Sequence, residues 1–238
     1  MHRVFQAKVP HTDWSSSFSF DQPHRVGLAT LEGCNFRMIR SILYICYMRY
    51  SPEHKFETHQ KIVKDASRRV RAEGLNGAAV AAVMRDTGLT HGGFYKHFES
   101  KDDLLVDSLS EAFREFSNTL VRAAEQSPPG EAWKTIVKTY LRPELCDHPE
   151  RGCPLAALAP ELARVDKRMK PQIVSQLVNY KSRMVPFMPG RRTVDKERAF
   201  FAIFSTMIGA IEIARMLPDP AIREKVLGSA RDFLLRSF

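Results

Sequence analysis

From residue 56 onward the apolar positions fall into helical runs divided by glycine and proline. Over 56–73, Ile62, Val63, Ala66 and Val70 repeat at three- and four-residue spacing, which puts them on one face of a helix that Gly74 would end. Ala79–Phe98 then breaks into two short pieces. Val80, Val83 and Met84 mark the first, Gly88 can take the left-handed turn that ends it, Thr90 can cap the second, and Phe94 and Phe98 lie four apart on the inner side. This pattern predicts a helix-turn-helix over 79–98, its second helix running from His91 to Phe98 with Tyr95, Lys96 and His97 facing outward. Ser100-x-x-Asp103 reads as a capping box that opens a long helix through Leu104, Leu105, Leu109, Phe113, Phe116 and Leu120 to Gln126.

Beyond the break at Ser127–Gly130, five more helical pieces are expected. Trp133, Ile136, Val137, Tyr140 and Leu141 outline one, 154–164 a short one opened by proline, and 167–185 a third. Residues 194–217 carry Phe200, Phe201, Ile203, Phe204, Met207, Ile208, Ile211 and Ile213, apolar over more than one face, so a partner subunit is the natural cover. The last piece holds Ile222, Val226, Leu227, Ala230, Phe233 and Leu234. Prolines cluster at the ends of these pieces and no long alternating pattern separates them, so the fold class is expected to be all-α. Residues 1–54 differ: they are polar with scattered Ser, Pro and Gly, and read as a disordered extension. Their one apolar run, Ile42–Tyr47, is too short to cross a bilayer.

Length and composition change this picture little. With 238 residues, 44% of them hydrophobic, the chain can bury a core, and one or two domains are expected. The formal charge of +9 suits a polyanionic partner, yet residues 55–110 hold nine Lys/Arg against eight Asp/Glu. Net charge alone therefore does not mark the helix-turn-helix as a DNA binder; a basic solvated surface explains the excess equally well. The local cluster of His91, Lys96, His97 and Lys101 is the more telling feature. Cys34, Cys46, Cys146 and Cys153 form no C-x-x-C pair and have no histidines at zinc-ligand spacing, so no metal or cofactor is expected. With no export signal evident, the thiols are expected to be free in a reducing cytoplasm.

The run G-L-T-H-G-G-F-Y-K-H-F-E-S-K-D-D-L, residues 88–104, closely resembles the signature of the tetracycline-repressor (TetR) family, and the match extends upstream through Ile62, Ala66, Val70 and Gly74. The resemblance implies an N-terminal three-helix helix-turn-helix DNA-binding domain at 55–115 and a C-terminal helical ligand-binding and dimerisation domain at 116–238. It implies a homodimeric transcriptional regulator, most often a repressor, that binds palindromic double-stranded operator DNA, answers to an unknown small-molecule inducer and does not enter a membrane. Met48 resembles the ordinary start of such a regulator, which would make the first 47 residues an extension. One departure stands out: where the family usually has Thr or Ser at the start of the second helix, this chain has Ala78 and Ala79, leaving Asn76 or Gly77 to cap it.

The resemblance assigns Tyr95 to a DNA phosphate; the plain alternative is a half-buried core aromatic. Thr90 and Lys101 are placed for phosphate, His91 and Lys96 for base edges, and His97 for phosphate or for capping its neighbours. Gly92 and Gly93 each cost a helix about 1 kcal/mol relative to Ala, a cost that close approach of the backbone to a groove would explain. Lys55, Lys61 and Lys64 at the start of the first helix either reach phosphates or form a solvated face. In the C-terminal part, Trp133, Tyr140, Tyr180, Met184, Phe204 and Met207 line an inducer pocket or are plain core. Cys153 stands between Gly152 and Pro154 at a helix start, where free amides and the dipole favour a thiolate. The stretch Gly152, Cys153, Leu158, Ala159 and Glu161 resembles one found in family members that sense electrophiles, although a small residue fitted to a tight helix start is the simpler reading. Glu161, His148 and Cys153 are near in sequence, but nothing fixes them as a catalytic set, and no enzyme is expected. The alternative function is a helical DNA-binding architectural or adaptor protein without an inducer.

Overall fold

A computed structural model describes residues 52–238. The expectations for the polar extension, the run Ile42–Tyr47, the start at Met48, and Cys34 and Cys46 lie outside the described residues. Among the described residues every regular element is helical. The first helix, α1 (Pro52–Glu73), is already under way four residues before the expected start, so the boundary drawn at 54/55 falls within it. Ile62, Val63, Ala66 and Val70 are buried as their spacing requires, and a short 3-10 turn, Leu75–Ala78, follows Gly74.

Next come α2 (Val80–Asp86) and a 3-10 element, His91–Lys96, in place of the α-helix expected over 91–98. Two adjacent glycines weaken an α-helix, and a six-residue piece closes more readily through i→i+3 bonds such as Gly93 N–H to Thr90 O and His97 N–H to Phe94 O, both 2.9 Å. Ala79 stands at the start of α2 without a side-chain cap, so neither Asn76 nor Gly77 supplies one. Phe94 and Phe98 stack at 5.3 Å and join Ile62, Val63, Ala66, Val83, Met84 and Leu104 in a small core.

The long helix α3 (Lys101–Glu125) starts where predicted: Ser100 Oγ accepts from Asp103 N–H at 3.1 Å, one half of the expected capping box. Its first turns pack toward α1, while Phe113, Phe116, Leu120 and Ala124 enter a second, larger core. That core is closed by α4 (Ala132–Tyr140), α6 (Pro154–Leu162), α7 (Lys170–Met184), α8 (Thr193–Arg215) and α9 (Pro220–Ser237), which match the five expected pieces in place. The short α5 (Glu144–Asp147) and the 3-10 turn Pro149–Arg151 were not visible in the periodicity. Burying each large apolar side chain here is worth about 1.5–3 kcal/mol, so the larger core dominates stability.

Candidate nucleic-acid interface

The site is built on the 3-10 element and the turn before it. Gly88 has φ +76, Leu89 N–H bonds Met84 O at 2.8 Å, and Thr87 Oγ1 donates to Val83 O and Met84 O, so the end of α2 is closed tightly. Lys61 Nζ donates to Thr87 O at 3.0 Å from across on α1. That bond uses Lys61 to hold the turn, while the residue as a whole stays exposed on α1. Thr90 precedes the 3-10 element in extended backbone, but its hydroxyl makes no cap, so the expected side-chain cap is absent and the hydroxyl stays exposed.

Phe94 anchors the element at 1% exposure, and its neighbour Tyr95 is thrown outward at 68%, which removes the core-aromatic alternative for Tyr95. The Tyr95 ring meets Phe94 edge-on at 5.2 Å and His91 at 6.3 Å, so its direction is fixed while its hydroxyl faces solvent. Thr90, His91, Gly92, Lys96 and Lys101 are exposed with it, and Gly93 and His97 are half-buried. A Cβ at Gly92 would meet nothing within 4 Å and one at Gly93 only ordinary contacts at 3.6 Å. The protein itself thus has room for side chains at both positions.

A groove of about 830 Å³ runs between this element and the start of α1, lined by His54, Lys55, Thr58, Thr90, Tyr95, Lys96 and His97 among others. Sequence reasoning had weighed Lys55 but missed His54 and Thr58. Their signal is their position: on a helix that lies against the recognition element, the first turns must flank whatever that element meets. His59 stacks on Phe98 at 4.6 Å, and its Nε2 lies 3.4 Å from Asp107 Oδ2 on α3. His97 has its Nδ1 buried without a hydrogen bond, and desolvation, followed by the nearby His59, Lys55, Lys96 and His54 charges, lowers its pKa. A neutral His97 is therefore favoured at neutral pH, which keeps the groove's positive charge on its lysines.

The second candidate group is buried rather than displayed. Trp133, Tyr140, Cys153, Tyr180, Met184, Phe204 and Met207 all belong to the larger core. Tyr140 and Tyr180 each meet Phe204 edge-on, at 6.0 and 5.5 Å, whereas Trp133 stands apart against Phe238. The Cys153 thiol interacts with both tyrosines. Sulfur is a weak partner, however, and neither tyrosine hydroxyl completes a proper hydrogen bond. Burial raises the Cys153 pKa against the opposing effect of the Tyr140 hydroxyl and the Ala156 and Leu155 amides. The helix-start thiolate expected from sequence is thus corrected to a protonated thiol, because desolvation outweighs the amides. Glu161 and His148 do not join Cys153: Glu161 accepts from Leu75 N–H at 2.9 Å and His148 pairs with Glu150 at 3.1 Å.

The molecule thus offers an exposed, partly cationic helix-turn-helix face and, on separate helices, a buried aromatic core. No curated protein matches the sequence. Solved structures share the fold. A TetR-family regulator from Cytophaga hutchinsonii is 19% identical, with a TM-score of 0.61 over 76% of this chain and 94% of that one. A TetR-family regulator from Streptomyces coelicolor is also 19% identical, with a TM-score of 0.60 over 83% and 95%. FadR from Bacillus subtilis, solved in complex with stearoyl-CoA, is 16% identical, with a TM-score of 0.53 over 72% and 96%. Residues 62–107 match the family described as bacterial regulatory proteins, tetR family, so the chain carries the DNA-binding domain of a TetR-family transcriptional regulator.

Proposed function

We propose that the protein is a ligand-responsive repressor that binds a palindromic operator as a homodimer, with 55–115 as its DNA-binding domain and 116–238 as its ligand-binding and dimerisation domain. The observation that carries this is the outward, ring-supported Tyr95 beside the groove of Lys55, Thr58, Thr90 and Lys96. In this reading Tyr95, Thr90 and Lys101 hold phosphates, which positions the protein, while His91 and Lys96 reach base edges and Gly92 and Gly93 let the backbone approach. His97, neutral and half-buried, bonds a phosphate as a hydrogen-bond donor. The 3-10 element enters the major groove, and a two-fold dimer places two such elements about one helical turn apart.

Dimerisation is supported by apolar side chains left exposed on the last two helices. Phe201, Ile213 and Met216 on and after α8, and Ile222 and Phe233 on α9, are 45–75% exposed. A second copy would cover them. Ligand response is supported by the Tyr140 and Tyr180 hydroxyls, which in an otherwise apolar core have only the weak contact with the Cys153 thiol and so favour anything that supplies a stronger partner. FadR of Bacillus subtilis, which shares the fold, was solved with an acyl-CoA. Selecting bound fragments from the source genome tests the reading. Enrichment of one palindromic sequence is expected, and uniform recovery of all fragments would favour the architectural alternative instead. Light scattering at micromolar concentration should give a dimer; a monomer would contradict the two-fold operator.

A further inference from the structure

The 3-10 turn Leu75–Ala78 begins at Gly74, which has φ +80 and no side chain with which to cap it. A helical start of this kind leaves backbone N–H groups in need of an acceptor. The acceptor comes from 86 residues further along: Glu161 Oε2, on α6, takes the Leu75 N–H at 2.9 Å. The fit is close enough that a Cβ at position 74 would lie 2.7 Å from Glu161 Oε1. Gly74 therefore serves two needs, the left-handed turn and the room for a carboxylate from elsewhere. A carboxylate at this spot also sits favourably at the positive end of the turn.

The other end of α6 is held by the same helix-turn-helix domain. Arg71, on the last turn of α1, is 2% exposed, and its guanidinium is divided among Glu115 Oε2 at 2.5 Å, Ser67 O at 3.1 Å and Gly152 O at 3.3 Å, immediately before Cys153 and Pro154. Between these two ties, Leu158 and Leu162 pack with Val70, Ala78, Leu105 and Leu109, while Cys153 and Ala156 face into the larger core with Tyr140 and Tyr180. One short helix thus touches the larger core on one side and caps the entry to α2 on the other.

We propose that Glu161 is a positioning residue for DNA binding: it caps the turn that sets α2 and the recognition element, and with Arg71 it makes α6 a second link from the C-terminal core to the helix-turn-helix, beside α3. A movement of the core that shifts α6 withdraws the cap from Leu75 and loosens the seat of α2. This rests on the DNA-binding reading above, but the cap itself is testable without DNA.

The experiment compares the full-length wild type with Glu161→Gln and Glu161→Ala. Gln keeps a side-chain oxygen for Leu75, and Ala removes it. Amide exchange at Leu75, followed by NMR, should speed up about five- to tenfold in the Ala variant, in line with loss of one capping bond, and stay near wild type in Gln. Alkylation of Cys153 by iodoacetamide, read by peptide mass spectrometry, should also rise in Ala and recover in Gln, because freeing the far end of α6 loosens its start. Affinity for the genome-selected duplex should fall by about the same factor in Ala and be rescued in Gln, while the melting temperature of Ala falls by only about 2–4 °C, as one lost cap requires. Unchanged Leu75 exchange in Ala would overturn the cap, and a changed exchange with unaltered Cys153 alkylation would overturn the link through α6. If the wild type binds no duplex, the DNA-binding reading fails, while the exchange and alkylation results still decide the cap and the link.

Discussion

Tyr95 and Tyr140 show how one side-chain type serves opposite ends of this molecule. Tyr95 stands 68% exposed on a six-residue 3-10 element, its ring propped by Phe94 and its hydroxyl facing solvent. Tyr140 is 1% exposed inside the largest core, between Phe116 and Phe204, with a hydroxyl that finds no proper partner. The first hydroxyl is already solvated, so meeting a phosphate costs little desolvation. The second is already desolvated, so any partner that reaches it gains nearly the full value of a buried hydrogen bond. Under the proposed function, the region assigned to DNA keeps its chemistry wet, and the region assigned to a small ligand keeps its chemistry dry.

Stability should break this comparison most visibly. Phe204→Ala, which removes the ring that both buried tyrosines meet, should cost about 3–5 kcal/mol in denaturant unfolding. Tyr95→Ala should stay within about 0.5 kcal/mol of wild type, as exposed substitutions do, while losing affinity for every duplex tested. A large stability loss at Tyr95 would mean that its ring is structural after all.

The next effect concerns salt. Lys101→Ala should weaken duplex binding at all sequences and lower the slope of log affinity against log salt by about 1, the signature of one lost phosphate contact. His91→Ala should leave the slope alone and relax base preference, worth about 1–3 kcal/mol at the affected pair. Binding isotherms at four salt concentrations separate the two. An unchanged slope in Lys101→Ala removes this lysine from the interface.

The helical framework was legible because its signals are local. Gly88 at the end of α2, Ser100 capping α3, and the apolar repeats of α1, α3 and α8 each depend on residues within a few positions. What the sequence concealed are pairings between distant residues. Nothing near Gly74 announces that Glu161 caps the turn after it, and nothing near Lys61 announces that its ammonium reaches Thr87 O. Burial reversed one chemical expectation: Cys153 has the helix start that favours a thiolate, but it is packed among Tyr140, Tyr180 and the surrounding apolar core. The 3-10 form of 91–96 is not foreseen in the sequence: there the helical cost of Gly92 and Gly93 reads as room for a groove, whereas it also weakens the predicted second helix.

A smaller effect sharpens the dry side of the comparison. Tyr140→Phe removes a buried hydroxyl held only by its weak contact with the Cys153 thiol and should raise stability by about 1 kcal/mol, measured by urea unfolding. A loss of comparable size would show that the hydroxyl does have a partner. The smallest effect lies on the wet side. The pKa of His97 is lowered in the folded protein, so the unfolded chain takes up its proton first as pH falls. Its contribution is therefore fully present above the unfolded value, about 6.5, and is lost as pH falls through it toward the folded value. His97→Gln should flatten the decline of the melting temperature between about pH 7.5 and pH 5.5. An equal decline in both proteins would place the acid sensitivity elsewhere.

The most direct measurement is a paired titration of the wild-type protein with the genome-selected duplex and with a scrambled duplex of the same length and composition. At physiological salt the selected duplex should bind at least about a thousandfold more tightly, with two protomers per duplex, as sequence-specific dimeric readers do. Equal affinity for the two duplexes, or one protomer per selected duplex, would contradict the account that the face around Tyr95 reads an operator.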